Sequence, residues 1–359
     1  MLQLFNAWYR RYFSDPQAIL LAVVLFLIFA LILVMGRTLA PVLAAIVIAY
    51  LLEGPLQQTE KWRIPRPLAL TGVLLVFVST MAFLLLGLLP VVSQQVTEFF
   101  QRLPSLINDA QQLLSQFQEK HPDLISQEQI GQLVAVLRTW MTGLAQYVFT
   151  LSFGLIPAIL RSTVYLILGA LLVFFFLKDK VPILEWITDF LPRERALFVQ
   201  LWRELDEQLG NYIRGKFNEI LIVGAGTYAV FTLLGFRYAT LLAVTTGLSV
   251  LIPFIGAAVV TLPVAFAGYV QWGWSTDFLW VMIAYGIIQA LDGYVLAPML
   301  FSEALKIHPS AIIVAILVFG DLWGFWGVFF AIPLATLVKA LLNVWPRSPE
   351  VLTPSKRDA

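Results

Sequence analysis

The side chain in this sequence best placed to bind a polar or charged group is an acid within an apolar stretch. Asp292 lies in a segment that is mostly apolar from residue 278 to residue 301, and Gln289 precedes it by three positions. A carboxylate at bilayer depth costs roughly 2.5–3.5 kcal/mol on insertion scales, so it normally faces protein or water. We therefore predict that Asp292 and Gln289 contact a substrate or an ion. The structural alternative is a satisfied hydrogen bond between helices.

Prolines and glycines mark the places where apolar helices would be interrupted. Residues 238–269 form an apolar stretch too long for one ordinary crossing of about 20 residues, and an Ile-Pro-Phe-Ile-Gly sequence divides it. A broken membrane helix exposes backbone amides and carbonyls that can hold a small polar solute or an ion. A simple kink filled by neighbouring side chains is the alternative. The candidate positions are Ser249, Pro253 and Gly256 for binding, and Pro263 and Pro298 for hinges.

Three further candidates lie outside these segments. Asp321 belongs to the last apolar stretch, either near the membrane boundary or within the core, and it is counted among the binding positions. Arg214 and Gly215 lie where an amphipathic stretch runs into an apolar one. We expect Arg214 at the inner membrane interface, and the alternative is that Arg214 and Gly215 form a gate or hinge.

The composition identifies the class of protein. Of 359 residues 60% are hydrophobic and only 13% are charged, with a mean hydropathy of +0.84. A soluble domain would be about a quarter charged, so the chain is predicted to be a polytopic membrane protein. A formal net charge of +1 leaves no electrostatic footprint for nucleic-acid binding. The absence of cysteine excludes disulfides and thiolate chemistry.

The order of apolar segments predicts an all-α protein of about eight transmembrane helices, some broken or re-entrant. A Gly-Arg-Thr turn at residues 36–38 separates the first two spans. The predicted order is spans one to three in 1–89, an external amphipathic helical arm in 90–149, span four in 150–177, a cytoplasmic amphipathic helical segment in 178–219, spans five to eight in 220–345 and a cytoplasmic tail in 346–359.

The predicted arm has apolar residues at helical spacing among glutamines and acids, beginning with Val96 and Phe99. Such stripes indicate two amphipathic helices that pack on a partner helix or, alternatively, lie on the lipid surface. The distribution of lysine and arginine among the loops favours both termini in the cytoplasm, which puts the arm outside.

Patterns typical of enzymes and metal sites fail on inspection. The stretch from Gly210 to Lys216 matches the first part of a phosphate-binding loop, but Phe217 stands where serine or threonine must meet the metal. His121 and His308 lie far apart without the spacing of a zinc motif. There is no Gly-x-Ser-x-Gly nucleophile turn. We therefore predict no enzymatic activity, no cofactor and no metal.

Several short motifs together resemble one family. They are Tyr212-Ile213-Arg214-Gly215, Ile252-Pro253-Phe254-Ile255-Gly256, Gln289-x-x-Asp292 with Pro298, and His308-Pro309 ahead of a glycine-rich last span. In this order they resemble the autoinducer-2 exporter family, the PerM-like permeases. The resemblance implies eight spans, an external helical arm, a homopentamer and export without ATP. Some members are described as autoinducer-2 exporters and others as sodium–proton antiporters.

The functional prediction is a secondary transporter of the bacterial inner membrane that moves a small polar solute such as autoinducer-2. Its energy would come from an ion gradient or from the gradient of the solute itself, because the chain has no nucleotide site. Two alternatives remain open: a sodium–proton antiporter, and a membrane scaffold that transports nothing. The partners are then the solute or ion, the lipid bilayer and further copies of the chain.

Overall fold

The computed structural model describes residues 16–101, 167–189, 196–253, 255–301 and 308–344, together with scattered residues between 115 and 143. Every regular element in these ranges is helical. The chain forms two compact units. The first comprises Met1–Glu53, Leu172–Gly215 and Phe301–Ala359, and the second comprises Gly54–Leu171 and Lys216–Leu300.

The helices are numbered in chain order. They are α1 Pro16–Lys61, α2 Arg66–Phe83, α3 Ile167–Lys178, α4 Lys180–Asp189, α5 Ala196–Leu233, α6 Ala239–Ser249, α7 Ile255–Trp272, α8 Thr276–Leu291, α9 Ala297–Phe301, α10 Pro309–Trp323, α11 Phe325–Phe329 and α12 Ala331–Val344. The π-helical turn Leu84–Leu88 follows α2, and the π-helical turn Asp292–Leu296 joins α8 to α9.

Four of the described helical stretches are long and apolar enough to cross a membrane: Thr38–Lys61, Arg66–Gln101, Ile255–Trp272 and Thr276–Phe301. Three shorter apolar helices accompany them: Ile167–Lys178, Ala239–Ser249 and Ser310–Trp323. The prediction of an all-helical, multi-pass membrane protein is confirmed. The predicted number of eight spans is not confirmed, because the three shorter helices do not by themselves have the length of an ordinary crossing.

Two helices meet at Met35 within the stretch Pro16–Lys61, directly before the turn predicted at residues 36–38. The chain is helical from Pro16 to Lys61, and Met35, with φ −107° and ψ 15°, is the residue that departs from helical geometry. A single non-helical residue kinks a helix without requiring a loop. The third predicted span likewise continues without a loop into the beginning of the arm, as Arg66–Gln101.

Each of the two π-helical turns lies just before a proline. In the turn Asp292–Leu296, the amide of Ala297 donates to the carbonyl of Asp292, and Pro298 follows. The other turn, Leu84–Leu88, precedes Pro90. Proline has no N–H and its ring clashes with the carbonyl four residues earlier, and a widened turn relieves both problems. The interruption predicted at Pro298 therefore takes the form of a π-helical turn that begins at Asp292.

The apolar core of the second unit lies where α5, α6, α7 and α8 meet. Its fully buried members include Phe231, Tyr238, Val264, Val281 and Tyr285. The beginning of the predicted arm also packs against this core, through Val92, Val96 and Phe99. The amphipathic stripe thus finds its partner, over this part, within its own chain. Most of the arm, the first part of span four and the C-terminal tail lie outside the described residues.

The last predicted span is divided into α10, α11 and α12 in the first unit. Gly324 adopts φ +60° at the end of α10, a conformation that favours glycine. A side chain at Gly327 would overlap the carbonyl of Phe319, so α11 returns close along α10. Ile312, Ile316 and Ala331 form the buried contact between these helices.

Candidate functional site

Asp292 lies beside a buried ion pair in the second unit. The Nζ of Lys216 is 2.6 Å from Oε2 of Glu219 and donates a second hydrogen bond, at 2.7 Å, to the backbone carbonyl of Val250. The side chains of Lys216 and Glu219 are 5% and 3% exposed. The carboxyl groups of Glu219 and Asp292 lie close to each other. We call Lys216, Glu219, Asp292 and the Val250 carbonyl the polar centre.

The charges of the polar centre balance only when it holds a proton. Two carboxylates are acceptors alone, so a hydrogen bond between Glu219 and Asp292 requires one of them to be protonated. Oδ1 of Asp292 is shielded from solvent and receives no hydrogen bond from the described amide, hydroxyl or ammonium groups. A proton shared with the carboxyl group of Glu219 would supply that missing donor. With it, Lys216 offsets the single remaining negative charge, and without it the group carries one net negative charge.

Local structure explains why Lys216 and Glu219 meet. Both lie on α5 three residues apart, so their side chains project from the same face of the helix. Asp292 reaches them from the π-helical turn, whose widened backbone changes the direction of the side chain relative to a regular helix. Sequence reasoning found Asp292 and missed both residues of α5. The sequence pattern relates Lys216 only to an incomplete phosphate-binding loop.

The predicted break in residues 238–269 is present between α6 and α7. The amide of Ile252 donates to the carbonyl of Ser249, and the hydroxyl of Ser249 donates to the carbonyl of Thr246 at 2.7 Å. The amide of Ile255 donates to the carbonyl of Pro253 at 2.7 Å. These bonds form a compact turn, and one of its carbonyls, that of Val250, points to Lys216. Ser249 and Pro253 are therefore close in sequence to Val250, whose carbonyl belongs to the polar centre.

Gly256 has a packing role in this turn. A Cβ atom there would overlap the carbonyl oxygen of Ser249, so the backbone of α7 begins in direct contact with the end of α6. Glycine is the one residue that permits this approach. Pro263 lies further along, inside α7, which remains helical around it.

Gln289 takes part in a second set of hydrogen bonds, which joins α8 to α7. Its Nε2 donates to the hydroxyl oxygen of Tyr285 at 2.8 Å. The hydroxyl of Tyr285 in turn lies 3.3 Å from Oγ1 of Thr261 and 3.4 Å from the carbonyl of Ala257. Gln289 thus lies one turn before Asp292 and fixes the helix that carries it.

The remaining predicted site residues belong to the first unit. Nη2 of Arg214 donates to Oδ1 of Asn211 at 3.0 Å. Gly215 packs against Phe301, whose ring would lie 2.8 Å from a Cβ atom at this position. Asp321 occupies an exposed position on α10. The structure therefore groups Ser249, Pro253 and Asp292 within one unit with Lys216 and Glu219, and it places Arg214, Gly215 and Asp321 in the other.

The described residues contain no group of three or more His, Cys, Asp or Glu side chains that could hold a metal ion. His308 instead begins α10: its Nδ1 accepts a hydrogen bond from the amide of Ser310 at 3.3 Å, and Pro309 takes the first helical position. This is a capped helix start, since proline lacks only a donor that would be unsatisfied there. His121 lies outside the described residues.

Comparison with known proteins gives one consistent family. Residues 19–347 match the family described as "AI-2E family transporter". "Putative permease PerM" of Escherichia coli (strain K12) is 43% identical over 346 residues, which cover 96% of this chain and 98% of that protein. "Putative transport protein YueF" of Bacillus subtilis (strain 168) is 25% identical over 306 residues, covering 83% and 82%. "Putative transport protein sll0063" of Synechocystis is 25% identical over 318 residues, covering 87% and 79%.

Proposed function

Because the chain belongs to the AI-2E transporter family, we propose that it is a secondary transporter that exports a small polar solute, such as autoinducer-2, without ATP. The relatives named above are described as a permease and as transport proteins, which supports a membrane transporter. The observation that carries the more specific proposal is the polar centre at the break between α6 and α7.

The polar centre suits a hydroxyl-rich solute better than an apolar one. It contains an ammonium group, two carboxyls and the carbonyl end of α6, which carries the negative end of the helix dipole. These groups offer donors and acceptors that can replace the water around a polar solute. The break that follows α6 supplies backbone able to change conformation when the solute enters or leaves.

Counterflow in proteoliposomes tests the proposal. Vesicles loaded with unlabelled autoinducer-2 and diluted into labelled autoinducer-2 should accumulate label above protein-free vesicles. Asp292→Asn should abolish this accumulation, while Glu185→Gln, which changes an exposed acid of the first unit, should leave it within about twofold. Equal accumulation in protein-containing and protein-free vesicles would contradict the proposed substrate. A scaffold would move no solute of any kind.

We extend the proposal to the setting of the protein. In this proposal the protein lies in the bacterial inner membrane, has both termini in the cytoplasm and assembles as a homopentamer. The distribution of lysine and arginine supports the orientation, and the family resemblance supports the pentamer. Mass measurement of the purified protein in detergent tests the assembly. Labelling of cysteines introduced near each terminus, in a chain that has none of its own, tests the orientation.

The acid pair favours sodium–proton antiport as a second candidate function. The proximity of the carboxyl groups of Glu219 and Asp292 favours one shared proton, and a cation arriving from outside could replace it. Vesicles containing a fluorescent pH indicator should then become more acidic inside when sodium leaves them down its gradient, because protons enter in exchange. Loss of this signal in Asp292→Asn, with unchanged protein content, would support the candidate. A signal identical to that of protein-free vesicles would exclude it.

A further inference from the structure

The external arm is attached to the same short helix that ends at the polar centre. We propose that the arm root, defined here as residues 90–101, positions α6 through Gln95 and thereby sets the geometry of the polar centre. Gln95 is then a positioning residue, and movement of the arm outside the membrane would change the site within it. The consequence for transport rests on the proposed function, whereas the mechanical link between the two ends of α6 does not.

Gln95 caps the N-terminal end of α6 from another helix. Its Oε1 accepts a hydrogen bond from the amide of Leu241 at 2.8 Å. Amides in the first turn of a helix have no partner within that helix. Tyr238 occupies the N-cap position, and among the described residues its side chain does not satisfy these amides. The arm root therefore supplies a cap that α6 does not provide for itself.

Aromatic packing fixes the arm root at this point. The ring of Phe99 meets those of Tyr238 and Phe266 edge to face, with centroid distances of 5.4 and 5.6 Å. Val92 and Val96 join the same buried core. A movement of the arm root would have to carry Tyr238 with it, since close-packed side chains transmit displacement rather than absorb it.

The opposite end of α6 is held by the polar centre. Lys216 binds the carbonyl of Val250, which directly follows the last residue of the helix. The 11 residues of α6 span about 16 Å at about 1.5 Å per residue. One helix thus connects a contact with the arm to a contact with the candidate site.

The surroundings of α6 favour movement of the helix as one body. Most of its residues are buried, and the backbone of Gly247 passes so close to α5 that a Cβ atom would lie 2.9 Å from the carbonyl of Ile220. This close contact limits sideways displacement. A positive-φ glycine, Gly235, lies before the helix and the non-helical turn lies after it. Non-helical segments on both sides make α6 a separate rigid element, of the kind that can shift as a unit.

Hydrogen exchange of the purified full-length protein in lipid nanodiscs tests the mechanical link without any solute. Gln95→Leu removes the acceptor for the Leu241 amide, so exchange should rise several-fold in residues 239–242 and also in residues 249–256. Gln95→Glu keeps an acceptor at this position and should restore values near wild type in both segments. Glu98→Gln is the matched control, because its 3.9 Å contact with Arg237 is exposed to solvent. A rise confined to residues 239–242 in Gln95→Leu would overturn the proposal.

A crosslink provides a second measurement if Gln95→Leu does not fold. Cysteines at Glu98 and Arg237, joined by a short bismaleimide, would tie the arm root to the loop before α6 in a chain with no other cysteine. The crosslink should reduce exchange in residues 249–256 at least twofold relative to the uncrosslinked double variant. Unchanged exchange there would overturn the link.

Transport then distinguishes a positioning residue from a purely structural one. At matched amounts of folded protein, Gln95→Leu should raise the half-saturation for counterflow at least threefold, and Gln95→Glu should restore it. A lower rate with unchanged half-saturation would overturn the effect on the site. If no variant or wild-type protein moves solute while exchange in residues 249–256 still responds to Gln95, the proposed function fails and the mechanical link stands.

Discussion

Removing the ammonium group of Lys216 should destabilise the second unit more than any exposed ion pair does. Lys216→Met keeps the length of the apolar stem and deletes the hydrogen bonds that Nζ donates at 2.6 Å to Glu219 and at 2.7 Å to Val250. It leaves Glu219, 3% exposed, without its cation. A hydrogen bond to a charged group contributes about 1.5–3 kcal/mol, and breaking a buried pair costs about 3–5 kcal/mol. We therefore expect the free energy of unfolding to fall by about 3–5 kcal/mol.

A double-mutant cycle separates loss of the pair from loss of packing. Glu219→Gln in the Lys216→Met background removes the unpaired acid, so the double variant should be more stable than the sum of the single changes predicts, by at least about 1.5 kcal/mol. Unfolding of the purified protein in mixed detergent micelles, followed by circular dichroism, gives the four free energies. Arg66→Met is the matched control, because the Arg66–Glu60 contact of 3.7 Å is exposed and should contribute less than about 1 kcal/mol.

Two results would refute this reasoning. If Lys216→Met lowers the free energy of unfolding by less than about 1 kcal/mol, the ammonium group is not desolvated in the way its burial implies. If the effects of Lys216→Met and Glu219→Gln add within about 0.5 kcal/mol, the two side chains do not form an energetically coupled pair. In either case Lys216 and Glu219 would not form an ion pair that stabilises the site.

Three further changes follow from the same contacts. Asp292→Asn should insert and assemble normally yet lose counterflow from about pH 5 to about pH 8, and normal counterflow over that range would make Asp292 a packing residue. Gly256→Ala should lower the free energy of unfolding by at least about 2 kcal/mol, because its Cβ atom would overlap the Ser249 carbonyl. Gly286→Ala is the control and should be tolerated, because a Cβ atom there meets open space. Equal thermal midpoints of unfolding for the two variants would contradict this prediction. Deleting residues 103–145, which spares the arm root, should weaken assembly, and an unchanged oligomer size by light scattering would refute that role.

Sequence reasoning identified the class and one member of the polar centre. Composition alone separates a polytopic membrane protein from a soluble one, because a bilayer requires long apolar segments. An acid in such a segment is costly, which is why the sequence indicates Asp292 as a candidate. Pro253 and Gly256 predict a break in the apolar stretch, and α6 ends just before them. These signals are local: each is contained in one short stretch of the chain.

The missed features depend on contacts between distant parts of the chain. Lys216 and Glu219 lie at the end of an amphipathic stretch where charged residues are common, so their types did not distinguish buried from exposed positions. Gln95 is one of many glutamines in the predicted arm, and its hydrogen bond to the Leu241 amide joins segments that no periodicity relates. The number of spans was equally undetermined, because an 11-residue helix such as α6 has the composition of a span without its length.

The packing of Gly256 changes what a substitution there can report. A large side chain such as that of leucine at Gly256 would block a solute at a broken helix, but it would not test ligand contact alone. The overlap with the Ser249 carbonyl begins at Cβ, so every substitution disturbs the junction of α6 and α7 before any ligand is involved. Loss of transport in such a variant would therefore reflect the fold, and substitutions at Asp292 and Gln95 are better probes of function.

The energetic cost of the polar centre is itself an argument for a role in transport. A buried ion pair is often no more stable than apolar side chains of the same volume, so Lys216 and Glu219 add little that stability alone requires. Asp292 adds a third ionisable group beside them, and one proton then decides whether the group is neutral or carries a net negative charge. Because the same lysine holds the end of α6, a change in that charge acts directly on the hydrogen bond that anchors the helix. Charge and helix position are thus coupled by one side chain, which is the arrangement expected where binding must alter conformation.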